Sequence, residues 1–345
     1  MIQTVRVPAG LRWTCHGCGS CCTGHDLGPV EDEVVARLES ADIAASWPPA
    51  AAGWKTERHG PDGKPIVFLR QVDGACVFLG PDRRCGVHTN LGSSAKPGFC
   101  REFPYNLVED PKGLAAVIRA TCAGFHHSFR DGPLIGDADV DAVSRLPRVV
   151  PRARFAPERV AILPEQAIPV DDWMALEDAI LAAVEREDGD PRALVAIVRR
   201  TLTPEAAPVR PAQYEAAIDA LCHALGQVMR SVLSGQSGAP HQVAFARDAL
   251  AMLDRARTSR PAPLTSEERA WLNLLLRSAI LGKAWAASGS VAAGLGVWLA
   301  GVEIAARAGS LPEGVERWER FSAIPLVQLW LNKARPATVD VFLHA

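Results

Sequence analysis

The sequence predicts an α+β fold: a small cysteine-rich region of short strands and hairpins, followed by an all-α helical region. Three observations carry this. Eight of nine cysteines (Cys15, Cys18, Cys21, Cys22, Cys76, Cys85, Cys100 and Cys122) fall in the first third of the 345 residues. Up to about residue 125, short apolar runs are punctuated by Gly, Pro and Asp turns, the pattern of short strands. Beyond residue 170 apolar residues recur at helical spacing. The expected division is a cysteine-cluster region at 1–136, a connection rich in Pro and Arg at 137–170, and helices at 171–345.

Composition narrows the function classes. Apolar content of 48% with 22% charged residues is that of a folded chain with a sizeable core. A net charge of −2 argues against a binder of nucleic acid, which needs a basic excess to neutralise phosphate. Abundant Arg and Ala reflect a GC-rich genome rather than function. The N-terminal residues carry no apolar export segment, so the expected compartment is the reducing cytoplasm, where clustered thiols bind metal rather than oxidise. The uncharged run Ala284–Val302 is rich in Ala, Gly and Ser and bracketed by Lys283 and Glu303. It reads as a buried helix, so no membrane span is expected.

In chain order, Val5, Val7, Leu11 and Trp13 give a short strand leading into Cys15-His16-Gly17-Cys18-Gly19-Ser20-Cys21-Cys22. Four thiols in eight residues, separated by turn-forming Gly and Ser, are not explained by core packing. Cys15, Cys18 and Cys21 reproduce the spacing with which a ferredoxin run supplies three ligands to one cluster. Cys22 departs from that run. Neighbouring side chains diverge along an extended backbone, so Cys22 is expected on a different centre from Cys15, Cys18 and Cys21. His16 and His25 flank this box.

Residues 26–30 read as extended, 31–39 as a short helix with Val34, Val35 and Leu38 on one side, and 40–65 as a loop containing the Pro61-Asp62-Gly63 turn. A strand follows at 66–69. Cys76 and Cys85 flank a Gly80-Pro81-Asp82 turn, which predicts a hairpin with a thiol beginning each strand. Cys100 lies between Pro97 and Pro104, each of which biases its predecessor away from helix. Residues 107–118 predict a second hairpin ending near Cys122. The helical region then offers entrances at Asp171, Asp190-Pro191 and Thr265-Ser266-Glu267-Glu268, with an exit at Gly309. Helices are expected at about 171–187, from 190, and at 211–234, 241–257, 265–283, 290–308 and 312–332. Trp271, Trp285, Trp298, Trp318 and Trp330 read as core, as does Cys222.

The blocks Cys15–Cys22, Cys76–His88 and Pro97–Pro104, with Cys122 closing the set, resemble the CxxCxxCC (YkgJ-type) cysteine-cluster family. That family is described as zinc- or iron-chelating and includes bacterial flagellin lysine N-methylases. The resemblance covers about a third of the chain and implies a metal-chelating region. The helical half carries no matching motif, so methylase activity is not carried over with it.

The expected metal ligands are therefore Cys15, Cys18, Cys21, Cys22, Cys76, Cys85, Cys100 and Cys122. Soft thiolates suit both an iron–sulfur cluster and zinc. The ferredoxin-like spacing favours a four-iron cluster, with zinc as the alternative. Arg101, beside Cys100, is the candidate cation to offset the cluster's negative charge. His16, His25, His88, His126 and His127 read as surface or hydrogen-bonding residues. Three functions fit: a cytoplasmic iron–sulfur protein serving electron transfer with a protein partner or substrate, a protein lysine methyltransferase, and a zinc-stapled interaction module.

Overall fold

The computed structural model describes residues 5–23, 27–60, 63–187, 190–203, 209–234 and 240–345. The readings made for His25, Asp26 and the Pro61-Asp62 turn lie outside these residues.

The chain opens on β1 (Val5–Arg6), and the cysteine box closes in a 3-10 turn at Ser20–Cys22. Helices α1 (Asp32–Ser40) and α2 (Ile43–Ser46) follow. Strands β2 (Lys55–His59) and β3 (Pro65–Leu69) then pair antiparallel. The loop expected over 40–65 thus contains a strand. β2 is Lys-Thr-Glu-Arg-His, mostly exposed, with no apolar alternation to betray it, and pairing with the apolar β3 makes it a strand. A two-residue hairpin, β4 (Gln71–Val72) with β5 (Ala75–Cys76), precedes the short helices α3 (Gly86–Leu91) and α4 (Gly98–Glu102). The predicted second hairpin is β6 (Tyr105–Asp110) and β7 (Gly113–Ile118), followed by α5 (Ala123–Ser128).

Residues 137–170 are not a bare connection. They hold α6 (Asp137–Ser144), β8 (Ala153–Arg154) and the antiparallel pair β9 (Arg159–Leu163) and β10 (Gln166–Pro169). β8 completes a four-stranded sheet of order β1-β7-β6-β8, with β1 and β8 parallel to their neighbours. The helical region comprises α7 (Val170–Glu185), α8 (Pro191–Leu202), α9 (Pro211–Ser234), α10 (Pro240–Thr258), α11 (Ser266–Leu281), α12 (Val291–Ala308), α13 (Leu311–Ser322), α14 (Pro325–Lys333) and α15 (Arg335–His344). The expected helix 312–332 is two, because Pro325 begins a new helix and cannot continue the old one. Thr265 and Glu268 form the capping box their spacing predicts.

α12 is long and apolar enough to cross a membrane by length and composition, yet 78% of that stretch is buried inside the fold. Its glycines explain how neighbours come so close. A Cβ on Gly296 would stand 1.8 Å from the Thr338 carbonyl oxygen of α15, and one on Gly301 would stand 2.1 Å from the Trp318 ring of α13. Trp271, Trp285, Trp298 and Trp318 are buried as expected, whereas Trp330 is 37% exposed on α14.

Two cores organise the molecule. The larger runs from Leu11, Leu107, Leu114 and Phe125 through Trp173 and Leu225 to Phe342, so it crosses the boundary expected between residues 136 and 171. A buried ion network reinforces that crossing. Lys283, at a φ of 55°, places its Nζ 2.6 Å from Glu177 Oε2 and 3.0 Å from Asp110 Oδ2, and Arg6 pairs with both carboxylates. Two cations and two anions balance, which tolerates their burial. The smaller core gathers Leu27, Val34, Leu38, Ile43, Trp54, Leu69, Val77, Phe78 and Val87, and it carries most of the thiols.

Candidate metal centre

The box folds as its glycines allow. Gly17 and Gly19 take φ values of 63° and 72°, a left-handed backbone that side chains with a Cβ rarely adopt. Gly19 opens the 3-10 turn that carries Cys21 and Cys22, and Cys22 N–H donates to the Gly19 carbonyl at 2.9 Å. The backbone here is turned rather than extended, so the two neighbouring sulfurs converge, 3.8 Å apart. Cys21 thus lies with Cys22, against the expected split.

Three local contacts bring this turn to the other thiols. Thr23 forms an antiparallel bridge with Ala75, the residue before Cys76. Gly19 sits against Leu79 and Arg83, and Arg83 donates to the Cys18 carbonyl. Leu79 in turn bridges to Cys85. Cys85 begins no strand: it is the residue from which α3 starts, and Cys100 lies inside α4. α4 is held by the buried Glu31 carboxylate, which accepts the Gly98 N–H at 3.0 and 3.2 Å. Pro97 occupies the N-cap position of α4, where its missing N–H costs nothing, and Pro104 follows the helix end. The prolines therefore bound a short helix rather than forbid one.

Cys76 is buried in the smaller core, and Cys22, Cys85 and Cys100 pack partly buried against it. With Cys21 they form a group of five thiols. Electrostatics there are uneven. The hydrogen bond from Cys22 holds the Cys21 thiol down to about 6 against burial, with Lys96 and Arg320 adding to the lowering. Giving that bond, together with burial, pushes Cys22 up. Burial raises Cys76 to about 12, although the Phe78 amide opposes it, and raises Cys100 well above the ordinary thiol range.

Cys122 lies elsewhere, as the residue from which α5 begins. Its sulfur accepts the Trp13 indole N–H at 3.4 Å, and burial raises it to about 11 against donors that include the Gly124 and Phe125 amides. Cys18 is the thiol whose charge would add to that rise. Thr14 N–H donates to Ser128 Oγ at 3.1 Å, which seats Cys15 beside α5. Cys15 is exposed, and its sulfur accepts the Gly17 N–H at 3.5 Å.

The cations differ from expectation. Arg101 lines a shallow cavity with Arg37, Ala41, Leu91, Ser94 and Ala95, none of them a thiol. The cation whose charge acts on Cys21, Cys76 and Cys100 is Lys96. Arg320, from α13, donates to the carbonyls of Thr23 (3.2 Å), Ser20 (3.0 Å) and Thr121 (3.3 Å). A spacing argument within the first 125 residues cannot reach a residue 300 positions away. Lys96 was findable, as the charge four residues before Cys100.

The donor set fits a soft metal. Five thiols without a carboxylate are grouped here, Cys22 driven toward the neutral form by its bond to Cys21 and by burial, Cys76 and Cys100 by burial. A cationic centre is what would ionise them. Among the described residues no three His, Cys, Asp or Glu side chains stand, as placed, where they could together hold a metal ion.

Comparison with known proteins agrees with this chemistry. Residues 14–123 match the model of the CxxCxxCC family, described as a "putative zinc- or iron-chelating domain". No curated protein and no solved structure matches the chain. The matched segment runs from the box to Cys122 and spans all eight clustered thiols, so this third of the chain carries a CxxCxxCC region similar to that family of zinc- or iron-chelating domains.

Proposed function

We propose that the chain is a cytoplasmic iron–sulfur protein whose redox centre is held by thiols drawn from Cys21, Cys22, Cys76, Cys85 and Cys100, exchanging electrons with a protein partner or substrate. The observation that supports it is the gathering of these five thiols on one small core beside Lys96 and Arg320. A bound four-iron cluster supplies a one-electron redox change at four thiolates. The chain's own residues do the rest. Cys21, ionised most readily, offers the first thiolate, and the Phe78 amide supports the sulfur of Cys76. Lys96 and Arg320 offset the negative charge that four thiolates bring, which favours the reduced form. Leu69, Val77 and Phe78 keep water from one side of the group.

The smaller core itself supports a second reading, structural zinc. It is thin and its strands are two to five residues long, so a metal tying four thiols would contribute folding energy directly. Anaerobically isolated protein separates the two. Brown protein with matching iron and acid-labile sulfide and an EPR signal on reduction is the expected result. Colourless protein with stoichiometric zinc would overturn the redox reading and leave the staple.

A further inference from the structure

Arg101 has no task in the thiol group, and its surroundings point to another. It lies on α4 and lines a cavity of about 430 Å³ together with Arg37 of α1, beside Ala41, Leu91 and Ala95. Arg37 is anchored there, because its Nη1 donates to the Ser94 carbonyl at 2.7 Å, in the 3-10 turn Ser93–Ala95. That bond uses one of the five N–H donors of a guanidinium. The Arg101 guanidinium uses none: among the described residues it makes no hydrogen bond or ion pair. Carboxylates close by in the sequence are engaged elsewhere. Glu31 accepts the Gly98 amide, Glu39 meets Lys55 at 2.7 Å, and Glu102, the next residue, meets Arg148 at 2.6 Å. Two guanidiniums thus share a cavity whose lining holds no carboxylate. The charge extends beyond it. From residue 83 to 101 the sequence has Arg83, Arg84, Lys96 and Arg101 and no Asp or Glu. This stretch includes α3, which starts from Cys85, and α4, which carries Cys100. Leu91, Ala95 and both thiols belong to the smaller core or pack against it, so cavity and thiols are built on one packing unit.

We propose that this cavity is the docking point for an acidic segment of a protein partner, with one carboxylate side chain seated on Arg37 and Arg101. It deepens the electron-exchange reading above and rests on it for the purpose of docking, though not for the site itself. Guanidinium forks match carboxylates in a bidentate way, and such charge-assisted hydrogen bonds are stronger than neutral ones. Ala41, Leu91 and Ala95 add apolar contact for the methylenes of a Glu side chain, which a bare phosphate ion does not have. The acid-free stretch around the cavity speeds encounter with a negative surface and disfavours a positive one. Docking here sets the partner on the two helices that bring Cys85 and Cys100 to the thiol group.

The test titrates the full-length protein, isolated anaerobically, with a capped peptide of alternating Glu and Ala at low salt, followed by calorimetry. Saturable binding is expected, and the same peptide with Gln in place of Glu should not bind. Arg101→Gln breaks no side-chain bond inside the protein, so the variant should fold, and it should weaken the Glu peptide about tenfold. Pairing it with Arg37→Gln should weaken the peptide further. Arg260→Gln, at an exposed arginine between α10 and α11, should change nothing. Metal content should be the same in all three variants. Undiminished peptide affinity in the paired variant, an equal loss in Arg260→Gln, or tighter binding of inorganic phosphate than of the peptide would overturn the proposal. The electron-exchange reading is scored separately: colourless zinc protein that still binds the Glu peptide through Arg101 would overturn that reading and keep the docking site.

Discussion

The two groups of thiols come from one box but have opposite surroundings. Cys21 and Cys22 turn inward and join Cys76, Cys85 and Cys100 on the smaller core, where burial drives the Cys76 and Cys100 sulfurs toward the neutral form. Cys15 and Cys18 stay outside that core, Cys15 exposed and Cys18 half-buried, on the side of the buried Cys122. Gly19 divides them, because its left-handed backbone turns the chain between Cys18 and Cys21. One motif thus feeds two environments, and ligand number alone does not say what each can do. A buried group holds tightly and responds to neighbouring charge.

The largest effect should come from Cys76→Ser. Losing a buried ligand removes the tightly held metal and with it roughly 3 kcal/mol or more of stability, read by metal analysis and chemical denaturation. If Cys76→Ser kept its metal and midpoint, the inward group would not be a centre. Next is Arg320→Ala, which deletes charge-assisted hydrogen bonds to Ser20, Thr23 and Thr121 on both sides of the divide. A loss of about 2 kcal/mol is expected, with faster proteolysis at the box, and Arg320→Lys should recover only part of it.

A smaller and opposite effect is expected from Glu319→Gln. Burial, only partly offset by Arg119, pushes Glu319 up to about 7. A carboxyl whose folded pKa is raised favours the fold below its unfolded pKa of about 4.5, and loses that advantage as pH rises through about 7. The variant should therefore melt higher than the natural protein above pH 7, by roughly 1–2 kcal/mol, with the gain vanishing toward pH 4.5. A pH-independent difference would show that Glu319 is solvated. The smallest stability effect belongs to Cys15→Ser, within about 0.5 kcal/mol because the residue is exposed. A large drop in melting temperature would show that this end of the box is structural after all.

The α+β architecture was legible because each half advertises a different period. The Tyr105–Ile118 hairpin and the helices from Val170 onward stood out as alternation and as helical spacing. β2 did not, since its register with β3 is set by pairing rather than by its own side chains. Nor did the short helices α3, α4 and α5, each too brief to show a period. Their starts are marked only by a residue that also reads as a strand end or a proline barrier. The eight thiols were plain as a set. Their grouping was not, because it depends on the 3-10 turn at Ser20–Cys22 and on the Thr23–Ala75 bridge. Arg101 looked suitable from its position beside Cys100, yet a helix sends successive side chains in different directions.

Arg320 also sets an order of events in the life of the chain. The guanidinium that clasps the carbonyls of the box lies 300 residues after Ser20, so the ribosome makes the box well before its clasp. At roughly 5–20 residues per second, that interval is about 15–60 s. During it the nascent thiols are without their final clasp. Maturation of the metal centre is therefore expected to finish only once α13 has been made and has folded back over the box.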